Sequence, residues 1–269
     1  MFLRCSADPR LEPCAATPFL AEPMKPPPRL LPLFALALPL FSCSCEGIRP
    51  RKDTPLAPPP EEVSAKPGIN DDFLKGEVNV QEWFQKFETE SREIAALKDG
   101  IIAAMELKKG MDVADVGSGT GLFLKPLADA VGVGGKVYAL DISPSFVTAL
   151  KERVRLEHLE QVEVRLSKER SVELPPLSLD SAFVCDTYHH FEYPQHVLFS
   201  LFKAIRPLGT LFIVDFDRIP ETSRPWILEH VRADKKTFIK EIEQAGFVFE
   251  ADLPVDGLKE NYVLRFRRP

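Results

Sequence analysis

The chain has 269 residues, of which 45% are hydrophobic and 28% are charged, so it can form one domain with a large core or two small ones. Its formal net charge of −6 gives no electrostatic reason to expect a nucleic acid partner, because nucleic-acid-binding surfaces are usually basic. The five cysteines show neither the spacing of a zinc site nor a disulfide framework.

The first 70 residues differ from the rest, since they hold 15 of the 25 prolines and show no sustained helical or strand period. Residues 24–29 form a short basic start, and residues 30–41 form an apolar stretch that is too short to cross a bilayer as a helix. This is the layout of a secretory signal peptide. The segment Leu40–Cys43 also resembles the lipobox of bacterial lipoproteins, in which the cysteine carries the lipid.

These patterns predict that residues 1–23 are a non-native extension, that residues 24–43 are a signal peptide, and that residues 44–70 are a disordered linker. We therefore expect a protein of the cell envelope, periplasmic or anchored to the membrane by a lipid on Cys43. The alternative is a disordered extension with no targeting role, which would leave the protein in the cytoplasm.

Residues 71–269 are predicted to form the folded domain, and it begins with a helical cap over residues 71–108. Apolar residues recur at three- and four-residue spacing between Val78 and Leu107, and Gly100 predicts a break between two helices. A cofactor-binding core over residues 109–217 and a C-terminal helix with strands over residues 218–269 complete the domain.

The core is predicted to open with a buried strand that ends in a glycine-rich turn, residues 111–121. The glycines follow the pattern G-x-G-x-G, whereas a dinucleotide site requires G-x-G-x-x-G, and Leu122 stands where the third glycine would be. Asp115, just before the turn, suits a positively charged ligand better than a pyrophosphate. The residues expected to hold the ligand here are Asp115, Gly117, Ser118, Gly119, Thr120 and Gly121.

The second predicted strand, residues 136–141, ends in Asp141, followed by Ile142. A carboxylate at this position can accept hydrogen bonds from both hydroxyls of a ribose. Together with Asp115, it predicts a ligand that is a nucleoside with a cationic tail.

The rest of the domain alternates between helix and strand, which predicts a parallel sheet with right-handed crossovers. Helices are predicted over residues 122–131, 143–158, 195–205 and 235–244, and further strands over residues 162–166, 180–185, 210–216, 247–251 and 261–266. Cys185 lies on an apolar strand, where we expect a small buried hydrophobic residue.

Three interpretations remain for Tyr188, His189 and His190, which follow the fourth strand. A histidine could accept a proton from the substrate, since its pKa suits that role at neutral pH. The residues could instead form a structural turn. A metal site is disfavoured, because adjacent histidines rarely converge on one ion and no Glu or Cys partner is obvious, so we expect no metal.

Four segments resemble, in this order, the motifs of class I S-adenosylmethionine-dependent methyltransferases of the small-molecule, UbiE-like type: Val113–Gly121, Ala139–Ser143, Asp180–Asp186 and Arg206–Leu211. The resemblance covers roughly residues 80–269. It implies an α/β, Rossmann-like fold with a seven-stranded, mostly parallel sheet, an antiparallel last strand, helices on both faces and an N-terminal helical cap.

The same resemblance implies S-adenosyl-L-methionine as cofactor and a small-molecule methyl acceptor as partner. It places Asp186 near the methyl donor. It also suggests Glu169 as acceptor for the adenine amino group, although this loop departs from the family's usual form. The catalytic candidates are then Asp186, Tyr188, His189 and His190. The alternative is a non-catalytic, envelope-anchored protein that retains the fold, while Leu122 and Asp115 disfavour a nicotinamide-dependent oxidoreductase.

Overall fold

A computed structural model describes residues 57–76, 78–90 and 92–269 of the chain. The predicted signal peptide, the extension before it and Cys43 lie outside the described residues. Within the described part, no helix is both long and apolar enough to cross a membrane.

Seven strands form one sheet, in the spatial order β3-β2-β1-β4-β5-β7-β6. The neighbouring strands from β3 to β5 are parallel, and β7 is antiparallel to both β5 and β6. This arrangement confirms the predicted fold. The strands are β1 Asp112–Val116, β2 Lys136–Asp141, β3 Val162–Leu166, β4 Leu179–Cys185, β5 Ile205–Phe216, β6 Val248–Asp252 and β7 Asn261–Arg267.

Helices cover both faces of the sheet. Successive residues of a strand point to opposite faces, so they pack into different cores. Val113 of β1 packs into a core with α3, α4 and α5, whereas Ala114 packs into a second core with α6 and α8. The helices are α1 Asp71–Leu74, α2 Val80–Glu90, α3 Arg92–Ala104, α4 Leu124–Val131, α5 Pro144–Leu156, α6 Pro194–Ala204, α7 Pro225–His230 and α8 Lys235–Gln244, with one 3-10 turn at Tyr188–His190.

The predicted helix break at Gly100 is wrong, because Gly100 lies inside α3 and the boundary between α2 and α3 falls at residues 90–92. Gly100 faces Val255 of the C-terminal segment, with 3.4 Å between the position of a Cβ and Cγ1 of Val255. The β5 strand begins five residues earlier than predicted, because Ile205 already pairs with Leu179 before a register shift.

The last part of the predicted disordered linker is attached to the domain. The Glu62 carboxylate accepts hydrogen bonds from the backbone N–H groups of Gln195 and His196, at 3.0 and 3.1 Å, and from Nδ1 of His196. It therefore satisfies free N–H groups in the first turn of α6 and interacts favourably with the helix dipole. Ser64 and Ala65 bond to Glu192, and Lys66 donates to the carbonyls of residues 229 and 230. Residues 62–66 are therefore not part of a disordered linker. They are held by contacts with distant residues, which their local composition does not reveal.

Glu62→Ala should lower the free energy of unfolding by about 1–2 kcal/mol, because α6 would lose its capping carboxylate. Urea denaturation measures this change. Glu61→Ala is the matched control, since the neighbouring side chain is 88% exposed and makes one long ion pair with Arg170. Equal stability of the two variants would contradict the capping role.

Candidate active site

A cavity of about 330 Å³ lies at the carboxyl ends of β1, β2 and β4, which is where ligands bind in sheets of this topology. Its volume falls within the usual range for small-molecule sites. Nine of the ten residues predicted to bind a cofactor line it: Asp115, Gly117, Ser118, Gly119, Thr120, Asp141, Ile142, Glu169 and Asp186.

The glycine turn after β1 packs tightly against neighbouring side chains. Gly117 has φ = +76°, and a Cβ there would lie 2.3 Å from Cγ2 of Thr187, so no side chain fits. Gly121 has a different role from the predicted one. It does not line the cavity, and a Cβ there would lie 2.9 Å from Cδ2 of Leu150, so this glycine lets the turn pack against α5.

The Asp141 carboxylate connects the tip of β2 to the glycine turn. Its Oδ2 accepts a hydrogen bond from the Gly119 N–H at 2.9 Å, and its Oδ1 accepts one from the Ser143 N–H at 2.8 Å. Burial raises the pKa of Asp141 to about 6, although these N–H groups oppose the rise. Each carboxylate oxygen retains acceptor capacity, so Asp141 can still bind hydroxyl groups of a ligand in the cavity.

Asp115 is a second buried carboxylate that lines the same cavity, and it is 3% exposed. Burial raises its pKa to about 7, and the charge of Asp141 adds to the rise. A carboxylate held in this state favours a cation beside it, since an opposite charge stabilises the ionised form.

Asp186 stands at the end of β4 with φ = +46°, a backbone conformation that is strained for a residue with a side chain. Its N–H donates to the carbonyl of Val214, and its Oδ1 accepts a hydrogen bond from Nδ2 of Asn261 at 2.9 Å.

Glu169 lies on the cavity margin, exposed at the tip of a turn that is closed by paired backbone bonds between Lys168 and Ser171. The sequence did not predict the apolar wall of the cavity, to which Phe87, Phe146 and Phe191 contribute. Phe146 could have been recognised, because it lies in the first turn of the helix that follows Asp141.

The structure places Tyr188, one of the predicted catalytic residues, in the core and not in either cavity. It is fully buried, lines neither cavity, and its hydroxyl donates to Oε2 of Glu241 at 3.0 Å. The ring packs edge-on against Phe238 in the core. The 3-10 turn therefore directs Tyr188 into the core.

A second cavity, of about 170 Å³, adjoins the first, and Phe73, Phe87, Asp186 and His190 line both. The lining of the second cavity as a whole is largely aromatic and includes three histidines. Its other residues are Ile69, Asp72, Trp83, Lys86, His189, Phe216, Trp226 and His230.

His189 is held by Asp215 at the end of β5, with its Nδ1 2.8 Å from Oδ1 of the carboxylate. Burial lowers the pKa of His189 to about 3 and that of His230 to about 4. These imidazoles are therefore neutral near pH 7, and His189 is a weak base. The sequence missed His230, whose ring nitrogen lies within 4.8 Å of one from His189 and one from His190. The third candidate ligand beside the histidine pair is thus another histidine, His230, and not a Glu or Cys.

Residues 114–213 match the family model described as a methyltransferase domain. The chain is 28% identical over 118 residues to the ubiquinone/menaquinone biosynthesis C-methyltransferase UbiE of Neisseria gonorrhoeae. The matched segment covers 44% of this chain and 48% of that protein. The chain thus spans about half the length of the curated relatives it matches.

Among the solved structures with a similar fold are the following two. An S-adenosylmethionine-dependent methyltransferase from Aquifex aeolicus is 26% identical, with a TM-score of 0.56, over 76% of this chain and 95% of that one. The [4+2]-cyclase SpnF is 15% identical, with a TM-score of 0.57, over 65% of this chain and 80% of that one. This similarity shows the fold alone. The fold is thus the Rossmann-like methyltransferase fold, and the predicted resemblance to this class is confirmed over the core.

Asp115→Asn should stabilise the ligand-free protein at neutral pH. The folded-state pKa of about 7 lies above the unfolded value of about 3.9, so ionisation of Asp115 progressively destabilises the fold as pH rises between them. Because asparagine cannot ionise, its advantage over the wild type should grow by about 1–3 kcal/mol from pH 5 to pH 7.5 in urea denaturation. Asp129→Asn, at an exposed carboxylate, is the control. A difference that does not change with pH would refute the prediction.

Proposed function

We propose that the protein is an S-adenosylmethionine-dependent methyltransferase that acts on a small-molecule acceptor. The observation that carries this proposal is the pair of buried carboxylates, Asp115 and Asp141, on adjacent parallel strands with the glycine turn between them. A ligand that combines ribose hydroxyls with a cationic tail suits this pair, whereas a pyrophosphate would be repelled by it.

The residues around the cavity fit the groups of this cofactor. Asp141 would accept hydrogen bonds from the ribose hydroxyls, and Asp115 would lie near the positively charged part. Gly117 and Gly119 bring the backbone close to the ligand. Ile142 would contact the base, and Glu169, at the margin, would accept from its amino group.

The cofactor supplies a methyl group that is already activated by a positively charged sulfur. The protein's part is therefore to align the acceptor and to exclude water. Asp186 and His190 line the junction of the two cavities, and we infer that the acceptor occupies the second one. The rings of Trp83 and Trp226 there favour an acceptor with an apolar, flat part.

S-adenosylhomocysteine should bind to the purified protein, and Asp141→Ala should weaken binding by about 1–3 kcal/mol, or roughly 5- to 150-fold, through loss of charge-assisted hydrogen bonds. Isothermal titration calorimetry measures both affinities. Asp129→Ala should bind like the wild type, because Asp129 is exposed and pairs with Lys125 on α4.

Failure of the wild-type protein to bind S-adenosylhomocysteine would refute the cofactor assignment. Binding without turnover on a broad panel of acceptors would favour the alternative, a non-catalytic, envelope-anchored protein that retains the fold.

We further propose that the protein is exported and carries a lipid on Cys43, on the basis of the basic start, the apolar stretch and the lipobox-like segment before this cysteine. Metabolic labelling with a palmitate analogue, followed by fractionation, tests this proposal. The label should be lost in Cys43→Ser and retained in Cys45→Ser, which is the matched control two residues away. Equal labelling of the two variants, or an unlabelled cytoplasmic protein, would refute it.

A further inference from the structure

Three histidines from two separate segments converge beside the second cavity. His189 and His190 belong to the 3-10 turn after β4, and His230 ends α7. One ring nitrogen of each lies within 4.8 Å of one from both others, and Nε2 of His190 is 3.2 Å from Nε2 of His230. Two imidazole ligands of a tetrahedral zinc ion stand roughly 3.3–3.4 Å apart, because each Zn–N bond is about 2.0–2.1 Å long. The His190–His230 pair is therefore already close to the separation that coordination requires.

Asp215 fixes the orientation of the third ring. Its carboxylate accepts hydrogen bonds from the backbone N–H groups of His189 and Phe216, and its Oδ1 lies 2.8 Å from Nδ1 of His189, so it cannot rotate freely. With the proton on Nδ1, the Nε2 lone pair of His189 is left available. Metal-ligating histidines almost always donate their other ring N–H to a carboxylate, a backbone carbonyl or water, and Asp215 can be such a partner.

The surroundings leave room for an additional ligand. All three histidines line the second cavity, so a group in that cavity could complete the coordination. The donor set consists of neutral nitrogen ligands without a thiolate, which suits Zn²⁺ and neighbouring transition metals better than Mg²⁺ or Ca²⁺.

Aromatic packing offers a simpler explanation for the positions of these rings. His230 stacks on Trp226, with centroids 5.0 Å apart and an interplanar angle of 17°, and His190 packs edge-on against Phe73. Such packing accounts for where the rings lie. A hydrogen bond between Nε2 of His190 and Nε2 of His230 accounts for the approach of that pair. Neither the packing nor this hydrogen bond accounts for the approach of a His189 nitrogen to both, or for the carboxylate behind His189.

We propose that His189, His190 and His230 form a binding site for a divalent transition metal, with Zn²⁺ as the expected ion and the second cavity as the source of its remaining ligand. Asp215 is the positioning residue of this site. The proposal concerns metal binding alone and does not depend on methyl transfer.

The experiment uses the full chain without a polyhistidine tag, freed of metal by a chelator and titrated with Co²⁺ as a spectroscopic probe. One equivalent should bind with the visible absorption of a four- or five-coordinate ion, and Zn²⁺ should displace it. His230→Ala should weaken Co²⁺ binding at least about 100-fold, and Asp215→Asn about 10- to 100-fold. His158→Asn, at an exposed histidine with φ = +52° that asparagine tolerates, is the matched control.

His230 is half-buried at the end of a short helix, so its removal should leave the fold intact, which circular dichroism checks. If His230→Ala unfolds, His190→Gln replaces it. Binding of S-adenosylhomocysteine, measured on the same samples, separates this test from that of the proposed function. Absence of stoichiometric Co²⁺ binding, or equal affinity of His230→Ala and the wild type in folded proteins, would overturn the proposal.

Discussion

The site depends on the hydrogen bond between the Asp141 carboxylate and the Gly119 N–H, which connects the tip of β2 to the glycine turn after β1. The same turn packs against Thr187, so that Gly117 has no room for a side chain. The ends of three neighbouring strands thus fix one short segment of backbone. The shape of the first cavity follows from this constraint, since its lining comes from these strand ends.

The same arrangement has an energetic cost. Two buried carboxylates line the first cavity, and burial raises the pKa of both Asp115 and Asp141. Ionisation of such groups destabilises the ligand-free fold at neutral pH, and a cation in the cavity would offset that cost. The fold is therefore less stable than it could be at the place where a cationic ligand would gain most, which is the usual relation between stability and function at a binding site.

The strands of the parallel core are short apolar runs, which can be recognised from the local sequence alone. The sheet could therefore be predicted well from the sequence. The same strand assignments predicted that Asp115 and Asp141 lie at the ends of the first two strands. What the sequence did not predict depends on contacts between distant segments. Glu62 is held in place because it caps the first turn of a helix 133 residues later, and His230 contacts His190, which lies 40 residues earlier in the chain. Within the 3-10 turn, local pattern could not tell that Tyr188 faces the core.

The similarity to known proteins covers the cofactor residues of the first cavity, but only part of the lining of the second. Asp115, Asp141 and Asp186 lie inside the region that matches the methyltransferase domain, residues 114–213. Much of the second cavity comes from outside it, from α2 and the segment before it and from α7, which contributes Trp226 and His230. Similarity over the core therefore bears on the cofactor and carries no information on the acceptor. The identity of the acceptor is a question about the aromatic and histidine side chains that these outer segments bring to the junction at Asp186.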